Sequence, residues 1–96
     1  MERPKVFVTR ELPDAGLQLL RRKFEVEVWK DYAPPPREVT REKLKTADAL
    51  ISLLSDKIDA EMLAAAPNLK IIAQYAVGYD NIDVKAATGR KICVTN

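Results

Sequence analysis

Short apolar runs rich in β-branched residues recur along the chain at nearly regular intervals. They cover residues 6–8, 26–29, 49–53, 69–73 and 92–94. Near-continuous apolar runs of this length are typical of parallel strands that are covered on both faces. The second run instead alternates Glu25 and Glu27 with Val26 and Val28. This alternation predicts an edge strand with one wetter side.

Helical patterns fill the gaps between the apolar runs. Pro13 suits the first turn of a helix that ends in cations, which complement the partial negative charge of a helix terminus. A second helix is expected after the stiff proline run 34–36. Aspartate side chains are predicted to cap two further helices, Asp59 before 60–66 and Asp83 before 84–90.

Alternation of strands and helices with short connections predicts a parallel sheet with right-handed crossovers. Four helices cannot all lie on one face of five strands, so the chain should wind both ways. We therefore predict an α/β fold, a flavodoxin-like doubly wound parallel five-stranded sheet of order 2-1-3-4-5. Its carboxyl edge should gather residues 9–10, 54–56, 76–81 and 95–96.

Composition narrows the functional classes. The 96 residues leave room for a single domain, and the 47% hydrophobic and 31% charged content is typical of a globular protein. A net charge of +2 with interleaved signs predicts neither nucleic-acid nor membrane partners. The single cysteine, Cys93, is predicted to be a small buried side chain. Without a signal-peptide pattern or a long apolar run, a cytoplasmic location is expected.

Missing residue types exclude several kinds of site. The chain has no histidine, which excludes histidine-dependent nucleophilic pairs and histidine general acid–base catalysis. Its three glycines, Gly16, Gly78 and Gly89, form neither a dinucleotide fingerprint nor a phosphate-binding P-loop. We expect no metal site, no bound cofactor and no complete redox centre in this chain.

Residues 75–83, with the sequence YAVGYDNID, follow the fourth apolar run and precede the last predicted helix. A glycine at the carboxyl end of a strand lets backbone amides turn outward, where they can hold a small anion such as a carboxylate. An ordinary strand-to-helix turn is the alternative interpretation of the same spacing.

The residues of this loop carry a family resemblance. YAVGYDNID closely resembles the Val-Gly-x-Asp-Asn-Ile-Asp loop of the D-isomer-specific 2-hydroxyacid dehydrogenases, especially the glyoxylate/hydroxypyruvate reductase branch. Further matching segments occur in the family's order, namely KVFVTRELP, FEVEVW, ALISLLSDKID and ICVTN. The resemblance implies that residues 1–96 are one domain, the amino-terminal part of a substrate-binding domain without its nucleotide-binding partner. The end at Asn96 is then expected to reflect truncation, proteolysis or design.

The resemblance also implies site residues. The backbone amides of Val77 and Gly78 would hold the carboxylate of a small 2-oxo or 2-hydroxy acid, and Leu54 would supply an apolar wall. A plain core leucine is the alternative for Leu54. The cofactor of the parent enzyme would be NAD or NADP, bound elsewhere. The arginine, glutamate and histidine that orient substrate and move the proton in the family have no counterpart assigned here.

Four neighbouring residues complete the expectations for this loop. Tyr75 and Tyr79 could line a cleft, although a tyrosine at a strand end often only packs its ring. Asp80 and Asn81 are expected to fix the loop through side-chain-to-backbone hydrogen bonds rather than to contact substrate.

The order Gly89-Arg90-Lys91-Ile92 departs from the family, which places glycine directly before the last strand. Two alternatives follow. Either Gly89 ends the helix early, or Lys91 adopts a left-handed conformation at a cost of about 1 kcal/mol.

Rival functions remain open at this point. Asp56 lies where a receiver domain carries its phosphorylated aspartate, but Thr9 and Arg10 replace the acidic pair that would bind Mg²⁺. A flavodoxin would need a hydroxyl-rich phosphate loop after the first strand, and residues 10–13 do not supply one. A third interpretation is an α/β scaffold without activity. If the chain is part of a 2-hydroxyacid dehydrogenase, as the resemblance implies, we predict that it is inactive alone and binds its acid weakly. We also predict that it self-associates, most simply as a dimer.

Overall fold

A computed structural model describes residues 3–31, 33–75, 78 and 80–95 of the chain. Strands and helices alternate throughout these residues. In chain order they are β1 (Lys5–Val8), α1 (Asp14–Lys23), β2 (Glu25–Val28), α2 (Arg37–Leu44), β3 (Ala49–Ser52), α3 (Ala60–Ala64), β4 (Ile71–Gln74), α4 (Val84–Gly89) and β5 (Cys93–Thr95). No helix within the described part of the chain is long and apolar enough to cross a membrane.

The strands form one five-stranded sheet in the order β2-β1-β3-β4-β5, and every pairing is parallel. Val6 on β1 lies opposite Val26 on β2 and Ala49 on β3, and the same row continues through Ile71 and Cys93. The predicted strand order and doubly wound topology are confirmed.

The main hydrophobic core lies on one face of the sheet. Phe7, Leu50 and Ile72 project from the central strands into a cluster that α2, α3 and α4 cover. Connections β2–β3, β3–β4 and β4–β5 all advance in the same direction across the sheet, so right-handed crossovers put their three helices on the same side. The helical members of the cluster include Leu44, Met62, Leu63 and Ala87.

Among the helices of the described residues, α1 alone lies on the opposite face. Its Leu17 is buried, as are Val6 and Val8 beneath it. On this face, exposure increases toward β5: Ile71 on β4 is 37% exposed, and Cys93 on β5 is also exposed. The prediction of a buried Cys93 is therefore wrong, because this residue lies on an edge strand at the end of its row that α1 does not cover.

The edge position predicted for β2 is confirmed. Its glutamates are exposed, while Val26 and Val28 are half-buried. Glu27 forms an ion pair with Lys43 of α2 on the core side of the edge. The alternation in the sequence thus corresponds to an edge strand with one solvent-exposed face and one partly buried face.

Both predicted aspartate caps are present. The Asp59 carboxylate accepts a hydrogen bond from the Met62 amide at 3.0 Å, and the Asp83 carboxylate accepts one from the Ala86 amide at 2.9 Å. Each cap satisfies an amide at the start of its helix that has no partner within the helix. The third helix is shorter than predicted, since α3 ends at Ala64.

The last helix ends through a left-handed residue. Lys91 has φ of 62°, its amide donates to the Thr88 carbonyl at 3.0 Å, and the Ile92 amide donates to the Ala87 carbonyl at 2.9 Å. This pair of bonds is the Schellman motif, with Ile92 and Ala87 buried in the same cluster. Of the two alternatives drawn from the sequence, the left-handed Lys91 is the one observed.

Lys91→Gly should therefore stabilise the chain by about 1 kcal/mol, because glycine adopts the left-handed region without a Cβ penalty. The increase should appear as a rise of about 4–8 °C in the midpoint of thermal unfolding followed by circular dichroism. Lys85→Gly is the matched control, since Lys85 is exposed on α4 and the same change within a helix should destabilise by about 1 kcal/mol. A loss of stability in Lys91→Gly would contradict the strain assigned to this turn.

The Asp59 cap should also make stability depend on pH. Hydrogen bonds from the Met62 amide and the Arg37 guanidinium hold the pKa of Asp59 below its ordinary value of 3.8. Since the pKa is depressed in the folded state, the contribution is complete above the unfolded value and is lost as the pH falls through the folded value.

Asp59→Asn retains a capping side chain but removes the charge. We expect it to lower the free energy of unfolding by up to about 1 kcal/mol at pH 7, and by less at pH 2, because part of the charge contribution is lost once the pH falls below the unfolded value. Urea unfolding at both pH values measures the difference. An equal loss at the two pH values would show that the charge contributes nothing.

Candidate functional site

The loops after β1 and β3 meet at the carboxyl edge of the sheet around Asp56. The Thr9 hydroxyl donates a hydrogen bond to the Asp56 carboxylate, which also accepts one from the Leu53 amide at 2.9 Å. Asp56 is buried, and so is Thr9. Asp56 therefore acts as an internal acceptor that shapes the β3 loop.

Gln74, the last residue of β4, forms a second polar centre at this edge. Only 4% of its surface is exposed. Its Oε1 accepts a hydrogen bond from the Ser52 hydroxyl at 2.7 Å. Its Nε2 donates to the Gly78 carbonyl at 3.3 Å and to the Asn81 side-chain oxygen. A buried carboxamide is thus satisfied by the neighbouring strand on one side and by its own loop on the other.

Asn81 joins the loop after β4 to the loop after β3. Its Nδ2 donates to the Leu53 carbonyl at 3.0 Å and to the Asp56 carbonyl at 2.6 Å. The Asn81 carbonyl in turn accepts from the Ile58 amide at 2.9 Å. The expectation that Asn81 fixes the loop through hydrogen bonds to backbone is confirmed.

Leu54 and Gly78 are the predicted site residues that the structure describes. Leu54 is 57% exposed, which rules out the alternative of a core leucine. Gly78 is half-buried, its φ is not positive, and a Cβ added to it would meet no described atom within 4 Å outside its chain neighbours. Val77 lies outside the described residues, as do Ala76, Tyr79 and Asn96.

One cation adjoins the Leu54 loop. Arg10, directly after the β1 end, donates from Nη2 to the Ser55 hydroxyl at 3.0 Å. Tyr75 is 60% exposed, so its ring is available at the same edge rather than buried. Of the predicted grouping of residues 9–10, 54–56, 76–81 and 95–96, hydrogen bonds join Thr9, Arg10 and Asn81 to the loop after β3.

Sequence reasoning missed the buried polar residues beneath the site. Ser52 and Gln74 are both buried, and they lie opposite one another on neighbouring strands. The available signal was the position of Gln74, two residues after the core residue Ile72 and therefore on the same face. A polar residue at a core-facing strand position predicts a hydrogen-bonded partner.

The chemistry of this edge favours binding over proton transfer. Its accessible polar groups include the guanidinium of Arg10 and the hydroxyl of Ser55, which are donors suited to a small anion. The chain has no histidine, and the nearby carboxylate of Asp56 is already engaged by two donors. Groups of this kind are suited to binding a small anion.

The sequence model of the D-isomer specific 2-hydroxyacid dehydrogenase family, catalytic domain, matches residues 6–96. The chain belongs to this family. The match includes every strand apart from Lys5, the first residue of β1, and all of the loops at the carboxyl edge. The family resemblance drawn from residues 75–83 is thereby confirmed.

Individual relatives agree with the family assignment. The chain is 61% identical over 94 residues to a glyoxylate reductase of Korarchaeum cryptofilum, covering 98% of this chain and 28% of that protein. A crystal structure from Thermus thermophilus matches with a TM-score of 0.90 and 42% identity, over 96% of this chain and 30% of that one. An NAD⁺-bound 3-phosphoglycerate dehydrogenase of Entamoeba histolytica matches with a TM-score of 0.79 and 31% identity, over 96% and 32% respectively. The chain therefore spans less than a third of the length of these proteins.

Proposed function

We propose that this chain is the amino-terminal part of the substrate-binding domain of an NAD- or NADP-dependent 2-hydroxyacid dehydrogenase of the glyoxylate/hydroxypyruvate reductase type. The observation that carries the proposal is the 61% identity to a glyoxylate reductase across nearly the whole chain. The polar framework under the YAVGYDNID loop supports it, because a binding loop needs fixed support.

In this proposal the substrate is a small 2-oxo or 2-hydroxy acid. Its carboxylate is held by the backbone amides of Val77 and Gly78, which form charge-assisted hydrogen bonds with little reorganisation. The exposed side chain of Leu54 forms an apolar wall against the rest of the molecule. These contacts bind and orient the acid, and they leave proton transfer to groups outside these residues.

A nicotinamide dinucleotide does not fit the residues of this chain. The usual site needs a glycine-rich turn at a helix start, and the chain has only Gly16, Gly78 and Gly89, far apart. We therefore assign the cofactor to another domain of the parent enzyme. The 96-residue chain alone should be inactive and should bind its acid with a dissociation constant of roughly millimolar or weaker.

We also propose that the chain alone self-associates as a two-fold dimer through the sheet face that α1 leaves open. The open face is the surface formed by Ala49, Ile51, Ile71, Ala73, Cys93 and Thr95, which share one side of β3, β4 and β5. It carries no charged side chain, and its exposure increases toward β5. A second copy presents the same uncharged surface, which suits an isologous contact.

Gly78→Val tests the carboxylate site in a hybrid enzyme, in which this chain replaces the 94 matching residues of the Korarchaeum glyoxylate reductase. The valine side chain should crowd the approach of the carboxylate. Loss of a charge-assisted hydrogen bond should raise KM for glyoxylate about ten- to a hundredfold, with a smaller effect on kcat. Steady-state kinetics with NADH and NADPH measure both constants.

Gly16→Val is the control for this experiment. Gly16 is exposed on α1, and a Cβ added there meets nothing described within 4 Å. This variant should retain the KM of the hybrid. A folded Gly78→Val hybrid with unchanged KM and kcat would favour an ordinary turn, and turnover by the 96-residue chain alone would overturn the assignment of the cofactor to another domain.

The dimer is tested by analytical ultracentrifugation of the 96-residue chain over a wide concentration range. We expect the two-chain species to dominate at high concentration, and Ile71→Glu to shift the equilibrium toward monomer because it places a charge in the apolar face. Leu19→Glu is the matched control, since Leu19 is 63% exposed on the outer surface of α1. A monomer that persists at high concentration would contradict self-association through the open face.

A further inference from the structure

We propose that Gln74 and Asn81 are positioning residues for substrate binding, which hold the Gly78 loop and the Leu54 loop in the geometry that receives the acid. The inference rests on the proposed function, because it concerns the same carboxylate site. Neither side chain is assigned any contact with substrate. Their effect is exerted through the backbone that they bind.

The orientation of the Gln74 carboxamide is determined by its partners. The Gly78 carbonyl can only accept a hydrogen bond, so Nε2 must face it and the neighbouring Asn81 side-chain oxygen, and Oε1 is then placed to accept from the Ser52 hydroxyl. A flipped amide would set Oε1 against both of these oxygens. Because Gln74 is 4% exposed, water cannot easily replace the lost donors. The buried amide therefore has one favourable arrangement.

That arrangement controls the Gly78 peptide. The bond from Gln74 Nε2 at 3.3 Å holds the Gly78 carbonyl toward the protein. A carbonyl oxygen carries partial negative charge, and one that faced a bound carboxylate would repel it. By engaging this oxygen, Gln74 keeps it away from the anion and restricts the conformations open to the loop.

Asn81 extends the restriction to the other wall of the site. Its side-chain amide binds the carbonyls of Leu53 and Asp56, which flank Leu54 and Ser55. Its side-chain oxygen accepts from Gln74, so one chain of hydrogen bonds runs from Ser52 through both carboxamides to the Leu54 loop. The side chains of Gln74 and Asn81 therefore hold Leu54 and Gly78 in a fixed relative position.

The experiment uses the same hybrid with the Korarchaeum enzyme. Gln74→Met keeps the length of the side chain but removes the donors, and Ser52→Ala removes only the hydroxyl that donates to Gln74 Oε1. We expect KM for glyoxylate to rise about tenfold in Gln74→Met and about threefold in Ser52→Ala, with kcat within about twofold of the unmodified hybrid. The thermal midpoint of each variant is recorded beside its kinetics.

Gln18→Met is the matched control, because it makes the same chemical change at an exposed position on α1, away from the site. It should retain the KM of the hybrid. A purely structural role would lower the thermal midpoint without a selective rise in KM. If Gln74→Met does not fold, the milder Ser52→Ala variant decides.

Comparison with Gly78→Val separates the two proposals. A raised KM in Gly78→Val and an unchanged KM in both Ser52→Ala and Gln74→Met would overturn the positioning role while leaving the carboxylate site intact. An unchanged KM in all three would overturn the carboxylate site itself. A selective rise in Gly78→Val and in the positioning variants supports both.

Discussion

Right-handed crossovers in an all-parallel sheet are the constraint on which the rest of this structure depends. Each connection from strand to helix must leave the sheet at the same edge, so the loops after β1, β3 and β4 meet there. The residues that form the candidate site are distant in sequence for this reason. Their proximity follows from topology, and the local sequence needs only to supply suitable groups at each strand end.

The convergence of three loops buries polar backbone groups, and side chains at the carboxyl edge provide hydrogen-bond partners for them. Asp56 binds the β3 loop to Thr9, and the carboxamides of Gln74 and Asn81 join the β3 and β4 loops. Unsatisfied polar groups at this depth would be costly, so the network orders the edge as a unit. A binding surface that is ordered before its ligand arrives loses less entropy on binding.

The same crossovers explain the asymmetry of the two sheet faces. Three connections advance in one direction and place α2, α3 and α4 over the main core, whereas the single reversed connection places α1 alone on the other side. Val6 and Val8 are buried beneath α1, but Ile71 and Cys93 are not covered by it. The open face is thus a consequence of strand order, and it is the surface through which we propose self-association.

Sequence by itself determined the elements with local signals, because apolar runs, the alternation in β2 and the caps Asp59 and Asp83 act within a few residues. Strand order also followed, since short right-handed connections leave few topologies.

Tertiary structure alone decided the exposure of Cys93, which depends on where helices lie, and the pairing of Gln74 with Ser52, which depends on strand register. It also decided the left-handed Lys91, because burying the adjacent Ile92 compensates for local strain.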